Sequence, residues 1–253
     1  MTSPQPSSRT VVVHDGPKLL AEAVAARLIV RLTDAQAERG VAAVVLTGGR
    51  IAAQIYAAVR DNPARDAVDW SRVDFWWGDE RFLPSGDPDR NETQARDAFL
   101  AALPVDPARV RPMPASDGPH GSDAAAAAAS YAAAIAGAHF DVVLLGVGED
   151  GHVASVFPGH PVGADPRPVA DVHDSPKPPP VRITLTVPTL NTAAEVWLLA
   201  SGAGKADAVR EALSSVSGAP GAADAAGVLP AARVHGRART LWLVDTGALP
   251  GGV

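Results

Sequence analysis

One stretch, residues 140–158 (FDVVLLGVGEDGHVASVFP), does most to fix what this chain can fold into. Residues 142–145 form a continuous apolar run as long as a strand buried on both faces, and such strands belong to parallel sheets covered by helices. The run empties into a glycine-punctuated turn that carries Glu149, Asp150 and His152. In open α/β sheets the ligand crevice lies beyond the carboxyl ends of the strands, so this loop marks a candidate site. The stretch also matches Gly146-x-Gly148-x-x-Gly151, a dinucleotide fingerprint. That fingerprint brings bare backbone amides to a pyrophosphate, whereas Glu149 and Asp150 would repel it, and a proline-rich segment follows in place of a second strand with an acidic end. A nucleotide site is therefore rejected.

The rest of the chain alternates in the same way. A strand is expected at 10–13, then a helix in which Leu20, Val24, Leu28 and Leu32 recur on one face. A second strand at 41–46 ends in Thr47-Gly48-Gly49-Arg50 and runs straight into a helical pattern. Strand, glycine pair and helix make an anion cradle of unpaired backbone N–H groups, with Arg50 adding a cation; a tight strand-to-helix turn with no ligand is the competing reading. A third strand, 73–77, empties into Gly78-Asp79-Glu80-Arg81, where a solvated turn accounts for Glu80 and both tryptophans read as packing. Asn91 is the expected N-cap of a helix over 92–103, and Ser122 that of an alanine-rich helix through 138. One helical turn is expected at 154–157, and residues 158–180 read as a long surface loop. Strands at 181–185 and 196–200 follow. The second ends in Ser201-Gly202-Ala203-Gly204-Lys205, which lacks the glycine and hydroxyl positions of a Walker A loop but sets Lys205 at the start of a helix over 206–213. A Gly/Ala/Ser linker at 214–228 and a last strand at 240–245 close the chain. The expectation is a polar tail over 1–9 and one α/β domain over 10–253: a single doubly wound, mostly parallel, Rossmann-like sheet with helices on both faces.

The 253 residues are 47% hydrophobic and 20% charged, with a net charge of −6 and no cysteine. That excludes disulfides, thiolate metal sites and a cysteine nucleophile. Without a basic cluster, neither nucleic acid nor a membrane surface is an expected partner, and any anionic ligand must be met by a few placed cations. No segment has the pattern of a signal peptide or a membrane span, so the cytoplasm is the expected compartment. A metal site built from Glu149, Asp150 and His152 has no recurring ligand spacing, and no metal or cofactor is expected.

The blocks TGGR (47–50), FWWGDERFLP (75–84) with Asn91, LLGVGEDGHVASVFPG (144–159), RITLT (182–186), GAGKADAV (202–209) and LWLVD (241–245) together resemble the 6-phosphogluconolactonases, a branch of the glucosamine/galactosamine-6-phosphate isomerase superfamily. The resemblance spans nearly the whole chain. It implies hydrolysis of 6-phosphoglucono-δ-lactone in the pentose phosphate pathway, with no cofactor, by a monomer or weak homo-oligomer acting on a small sugar-phosphate lactone. On this reading His152 activates water, Asp150 orients the imidazole ring or raises its basicity, and Asp79 is a third catalytic group; a structural Asp79 paired with Arg81 is the alternative. Gly48, Gly49, Arg50, Arg81, Arg182 and Lys205 would hold the phosphate. The family's first loop is typically Ser-Gly-Gly-Ser-Thr-Pro, and Arg50-Ile51-Ala52 here moves the expected contacts to backbone amides or Arg50. An aminosugar-phosphate isomerase/deaminase and a sugar-phosphate sensor are the rival functions; the WGDER block favours the lactonase, and the sensor would need a DNA-binding segment.

Overall fold

A computed structural model describes residues 8–215, 227–249 and 251. Most of the expected N-terminal tail and of the 214–228 linker lies outside the described residues. The parallel sheet is built from β1 (Ser8–His14), β2 (Ala42–Leu46), β3 (Val73–Trp77), β5 (Val142–Gly146), β8 (Glu195–Ala200) and β9 (Arg239–Asp245), in the order β1-β9-β8-β5-β2-β3. All its pairs are parallel. The burial of β2 and β8 at every position explains the unbroken apolar runs 42–46 and 196–200 within them. Helices α1 (Pro17–Arg39), α2 (Arg50–Asp61), α3 (Asn91–Ala98), α4 (Ala124–Ala134), α5 (Val187–Leu190), α6 (Ala206–Ser215) and α7 (Pro230–Arg233) complete the α/β fold. The expected stripe on α1 is the buried one, and Leu20, Val24, Leu28 and Leu32 are all fully enclosed. Each such side chain contributes about 1.5–3 kcal/mol through apolar area removed from water.

From β2 the chain steps to β3 on one side and later to β5 on the other, so the strand order reverses between β2 and β5. The loops leaving these neighbours diverge and open a crevice. Thr47–Arg50 leaves β2 there and Val147–His152 leaves β5.

A second, three-stranded antiparallel sheet stands over that crevice: β4 (Asp79–Arg81), β7 (Arg182–Leu185) and β6 (Val169–Val172), in the order β4-β7-β6. Gly78 joins the two sheets, donating to Leu46 O (2.9 Å) and accepting from Leu185 N (2.8 Å). The strand expected at 181–185 therefore exists but pairs outside the parallel sheet. Residues 158–180 are not one irregular loop, because β6 lies within them. Residues 79–81 are a strand, and its two-residue period sets Asp79 and Arg81 on the cavity side while Glu80 turns inward.

Glu80 corrects the solvated-turn reading. It is fully buried, and its carboxylate accepts the N–H groups of Asn91 (2.7 Å), Glu92 (2.9 Å) and Arg81 (2.8 Å), with Arg90 Nη2 at 3.7 Å. It caps α3 from another element, a long-range substitute for a local N-cap. Asn91 is thus the first helical residue and not the cap. Asp123, not Ser122, caps α4 by accepting from Ala126 N (2.9 Å). Residues 154–157 form no helix; Val153 bridges Val147 and Val156 around a tight turn in which Ala154 has φ +50°. Trp76 and Trp77 are both buried, as their packing role requires.

Candidate active site

A cavity of about 590 Å³ occupies the crevice. Gly48, Gly49, Arg50, Asp79, Arg81, His152, Arg182 and Lys205 all line it, so residues spread over more than 150 positions of sequence converge there. Asp150 stands behind His152.

The GEDGH loop is built around that pair. Gly148 N–H donates to His152 O (2.8 Å) and Gly151 N–H to Gly148 O (3.1 Å), closing a tight turn that aims the imidazole back over Gly148. Gly151 has φ +79°, where only glycine is unstrained. A Cβ on Gly148 would lie 1.9 Å from His152 Nδ1, so the first glycine of the loop makes room for the imidazole. His152 Nδ1 contacts Asp150 Oδ1 at 2.5 Å, and the ring lies against Phe157 with centroids 4.8 Å apart. Burial lowers the His152 pKa below the ordinary histidine value, and the Asp150 contact only partly opposes it. For Asp150, burial acts upward but is outweighed by the His152 hydrogen bond and the His152 and Lys177 charges, which hold the carboxyl below its usual range.

Across the cavity, Tyr56 pins the β2 loop: Thr47 N–H donates to its hydroxyl (2.9 Å), and the hydroxyl donates to Thr47 O (2.7 Å). Gly49, with φ +102°, is the N-cap of the 12-residue α2, and Arg50 is the first residue of that helix. On the third side, Asp245 accepts from Ser201 Oγ (2.6 Å) and Gly202 N–H (2.9 Å), fixing the turn that presents Lys205 just before α6. Burial lowers the Lys205 pKa against the opposing charge of Glu149.

The antiparallel sheet supplies the roof. Asp79 is buried and accepts from Ser155 Oγ (2.7 Å) and Asn91 Nδ2 (3.2 Å), with Arg182 Nη1 at 3.9 Å. Its partner is therefore Arg182, not Arg81, because the β4/β7 register sets Asp79 opposite Thr184 and Arg81 opposite Arg182. Arg81 donates to Asp89 O (2.7 Å) and Asn91 Oδ1 (2.8 Å) instead. The Asn91 amide abuts Gly48, where a Cβ would lie 1.9 Å from its Oδ1. Asn91 thus ties the roof to the glycine loop, a role hidden behind its resemblance to a helix cap.

Lys177 also lines the cavity, with Nζ 3.5 Å from His152 Nδ1 and 3.7 Å from Asp150 Oδ1. Sequence reasoning missed it because it falls in the proline-rich segment; the one available signal was that lysine occurs only three times in the chain. Among the described residues, no group of three or more His, Asp or Glu side chains is placed to hold a metal ion, and no helix is long and apolar enough to cross a membrane.

Fold and site together define an α/β protein with a cavity at the switch point of its sheet, lined by a glycine loop, several cations and a histidine paired with a carboxylate. The model of the family described as glucosamine-6-phosphate isomerases/6-phosphogluconolactonase matches residues 15–242, and the chain belongs to that family. It is 57% identical to a 6-phosphogluconolactonase of Streptomyces coelicolor over 94% of this chain and 92% of the relative, and 43% identical to one of Mycobacterium tuberculosis over 95% and 97%. Among solved structures it superposes on 6-phosphogluconolactonase from Trypanosoma brucei with a TM-score of 0.81 at 27% identity, covering 96% of this chain and 98% of that one.

Proposed function

We propose that the protein hydrolyses 6-phospho-D-glucono-1,5-lactone to 6-phosphogluconate, the lactonase step of the pentose phosphate pathway. The observation that carries the reading is the His152–Asp150 pair (2.5 Å) sharing one cavity with the Gly48–Gly49 loop, Arg50 and Lys205. A lactone is already electrophilic at C1, so hydrolysis needs a base for water, stabilisation of the developing oxyanion and an anchor for the phosphate. His152 is the base. Its Nδ1 faces Asp150, which leaves Nε2 to take a proton from water, and its lowered pKa keeps it neutral at pH 7. Asp150 fixes the ring and stabilises the imidazolium formed in the transition state. Asp79 is a second carboxylate at the cavity wall, orienting Ser155 and Asn91 and opposing the proton-repelling effect of burial on His152.

The phosphate dianion is met by the backbone amides at the α2 N-terminus, by Arg50 and by Lys205, with Arg81 beside them. Arg50 compensates there for the hydroxyls that the family's usual loop would supply. The protein acts as one domain over residues 10–253, in the cytoplasm, as a monomer or weak homo-oligomer.

The family also contains aminosugar-phosphate isomerases, and one assay separates the two chemistries. Purified protein should accelerate acid release from freshly made 6-phosphogluconolactone above the spontaneous rate and release no ammonia from glucosamine-6-phosphate. Ammonia without lactone turnover would replace this reading with the isomerase; sugar-phosphate binding without either activity would point to a sensor.

A further inference from the structure

The lactonase reading leaves open what meets the negative charge that develops on the C1 carbonyl oxygen, and Arg182 does not fit the phosphate role its sequence position suggests. Its guanidinium is buried and engaged: Nη2 donates to Lys177 O and Pro178 O (3.0 Å each), Nε to Pro179 O (3.3 Å), and Nη1 faces Asp79 Oδ2 at 3.9 Å. The donors of the fork thus point at the 177–179 turn and at Asp79. The same guanidinium carbon stands 5.9 Å over the Phe157 ring that supports His152. The turn is closed from its other side as well, by Ser175 Oγ donating to Lys177 O (2.9 Å) and Ser175 N–H donating to Pro180 O (3.0 Å). What this fixed turn presents is the Lys177 ammonium, 3.5 Å from His152 Nδ1 and 3.7 Å from Asp150 Oδ1. Lys205, by contrast, has Glu149 as its strongest charged neighbour and follows the turn after β8.

We propose that Lys177 is a catalytic residue that pairs with the oxyanion formed at C1, and that Arg182 is a positioning residue that holds Lys177 there through the carbonyls of residues 177–179. The proposal rests on the lactonase reading and deepens it. As water attacks, its proton passes to His152 Nε2, its oxygen bonds to C1, and the C1=O π pair moves onto the carbonyl oxygen beside the ammonium. When C1=O re-forms, the bond from C1 to the ring oxygen breaks, and the ring oxygen takes the proton from His152 as the C5 hydroxyl. The ammonium acts only as an electrostatic partner and exchanges no proton with the substrate.

The experiment compares wild type, Lys177→Met, Lys177→Arg, Arg182→Ala and the Lys177→Met/Arg182→Ala double variant on 6-phosphogluconolactone and on unphosphorylated δ-gluconolactone. Lys177→Met should lower kcat/KM about 10²–10³-fold on both substrates alike, the size seen when one oxyanion partner is lost, because C1 is common to them. Lys177→Arg should recover part of the loss. The double variant should be no worse than the larger single loss, since Arg182 acts through Lys177. The charged groups facing His152 are Asp150, Lys177 and Asp79, and Lys177 is the one that lowers its pKa. The acid limb of the pH–rate profile should therefore move to higher pH in Lys177→Met and stay near its wild-type position in Lys177→Arg, which keeps the charge beside the imidazole. Wild-type turnover with an unaffected Lys177→Met variant, or a loss confined to KM for the phosphorylated lactone, would overturn the proposal. If Arg182→Ala does not fold, the two half-exposed Lys177 variants still decide. A wild type with no lactonase activity would instead sink the functional reading itself.

Discussion

Substituting Gly148 with alanine should disarm the site while leaving the fold standing. A Cβ at Gly148 would lie 1.9 Å from His152 Nδ1, 2.2 Å from its Cε1 and 2.4 Å from Asp150 Oδ1, whereas ordinary contact begins at 3.4 Å. The imidazole must retreat by roughly 1.5 Å, and misplacing a catalytic group by about 1 Å can cost about 10²-fold. Complete loss of a positioned base typically costs about 10²–10⁴-fold, so His152→Ala sets the floor and Gly148→Ala should fall toward it, with kcat down about 10²-fold. Stability should change little. Gly148 does not sit in the left-handed region, its backbone hydrogen bonds to residues 151 and 152 need no hydrogen on Cα, and the clashing atoms are the ends of two side chains. A change within about 1 kcal/mol by urea unfolding is expected. Acid release from the phosphorylated lactone, measured beside the unfolding curve, gives both numbers. A Gly148→Ala protein with wild-type kcat would refute His152 as the base held over this glycine; one that unfolds would show that the pair is a rigid structural element.

Two further predictions test the anchor and the buried carboxylate. Arg50→Ala and Lys205→Ala should raise KM for 6-phosphogluconolactone at least tenfold while leaving kcat/KM for unphosphorylated gluconolactone within about twofold, because only the former carries the dianion; equal losses on both would assign them structural roles. Burial pushes the Glu80 carboxyl up to about 7 from 4.5, with Arg90 and the capped N–H groups opposing it. A folded-state pKa above the unfolded one means that the native protein holds the proton longer, so the stability Glu80 contributes is greatest below pH 4.5 and falls as pH rises through 7, by roughly 3 kcal/mol. Glu80→Gln cannot titrate, so the stability difference between wild type and variant, followed by urea unfolding from pH 4.5 to 7.5, should decline with pH; a flat difference would mean that Glu80 is ionised throughout.

Local chemistry in the sequence determined the parts of this protein that need no distant partner. Buried strands must be apolar, helices show their period, and glycine-rich turns at strand ends point to a crevice, so the α/β order and the GEDGH loop were legible. The Asp150–His152 pair was equally legible, since two residues of separation within one turn suffice to bring the groups together. What depends on register between distant segments was not. Asp79 meets Ser155, 76 residues away, and Arg182, because β4 and β7 pair antiparallel; the sequence position alone suggested Arg81. Glu80 turns inward because residues 79–81 are a strand, and only the arrival of α3 over its carboxylate makes that burial tolerable. Asn91 looks like a cap and serves as a strut against Gly48. Lys177 comes within 3.5 Å of His152 from a proline-rich turn whose carbonyls accept from the buried Arg182 guanidinium and from Ser175. In each case the deciding term is a hydrogen bond or ion pair between groups far apart in the chain, whose geometry exists only once the two sheets have packed.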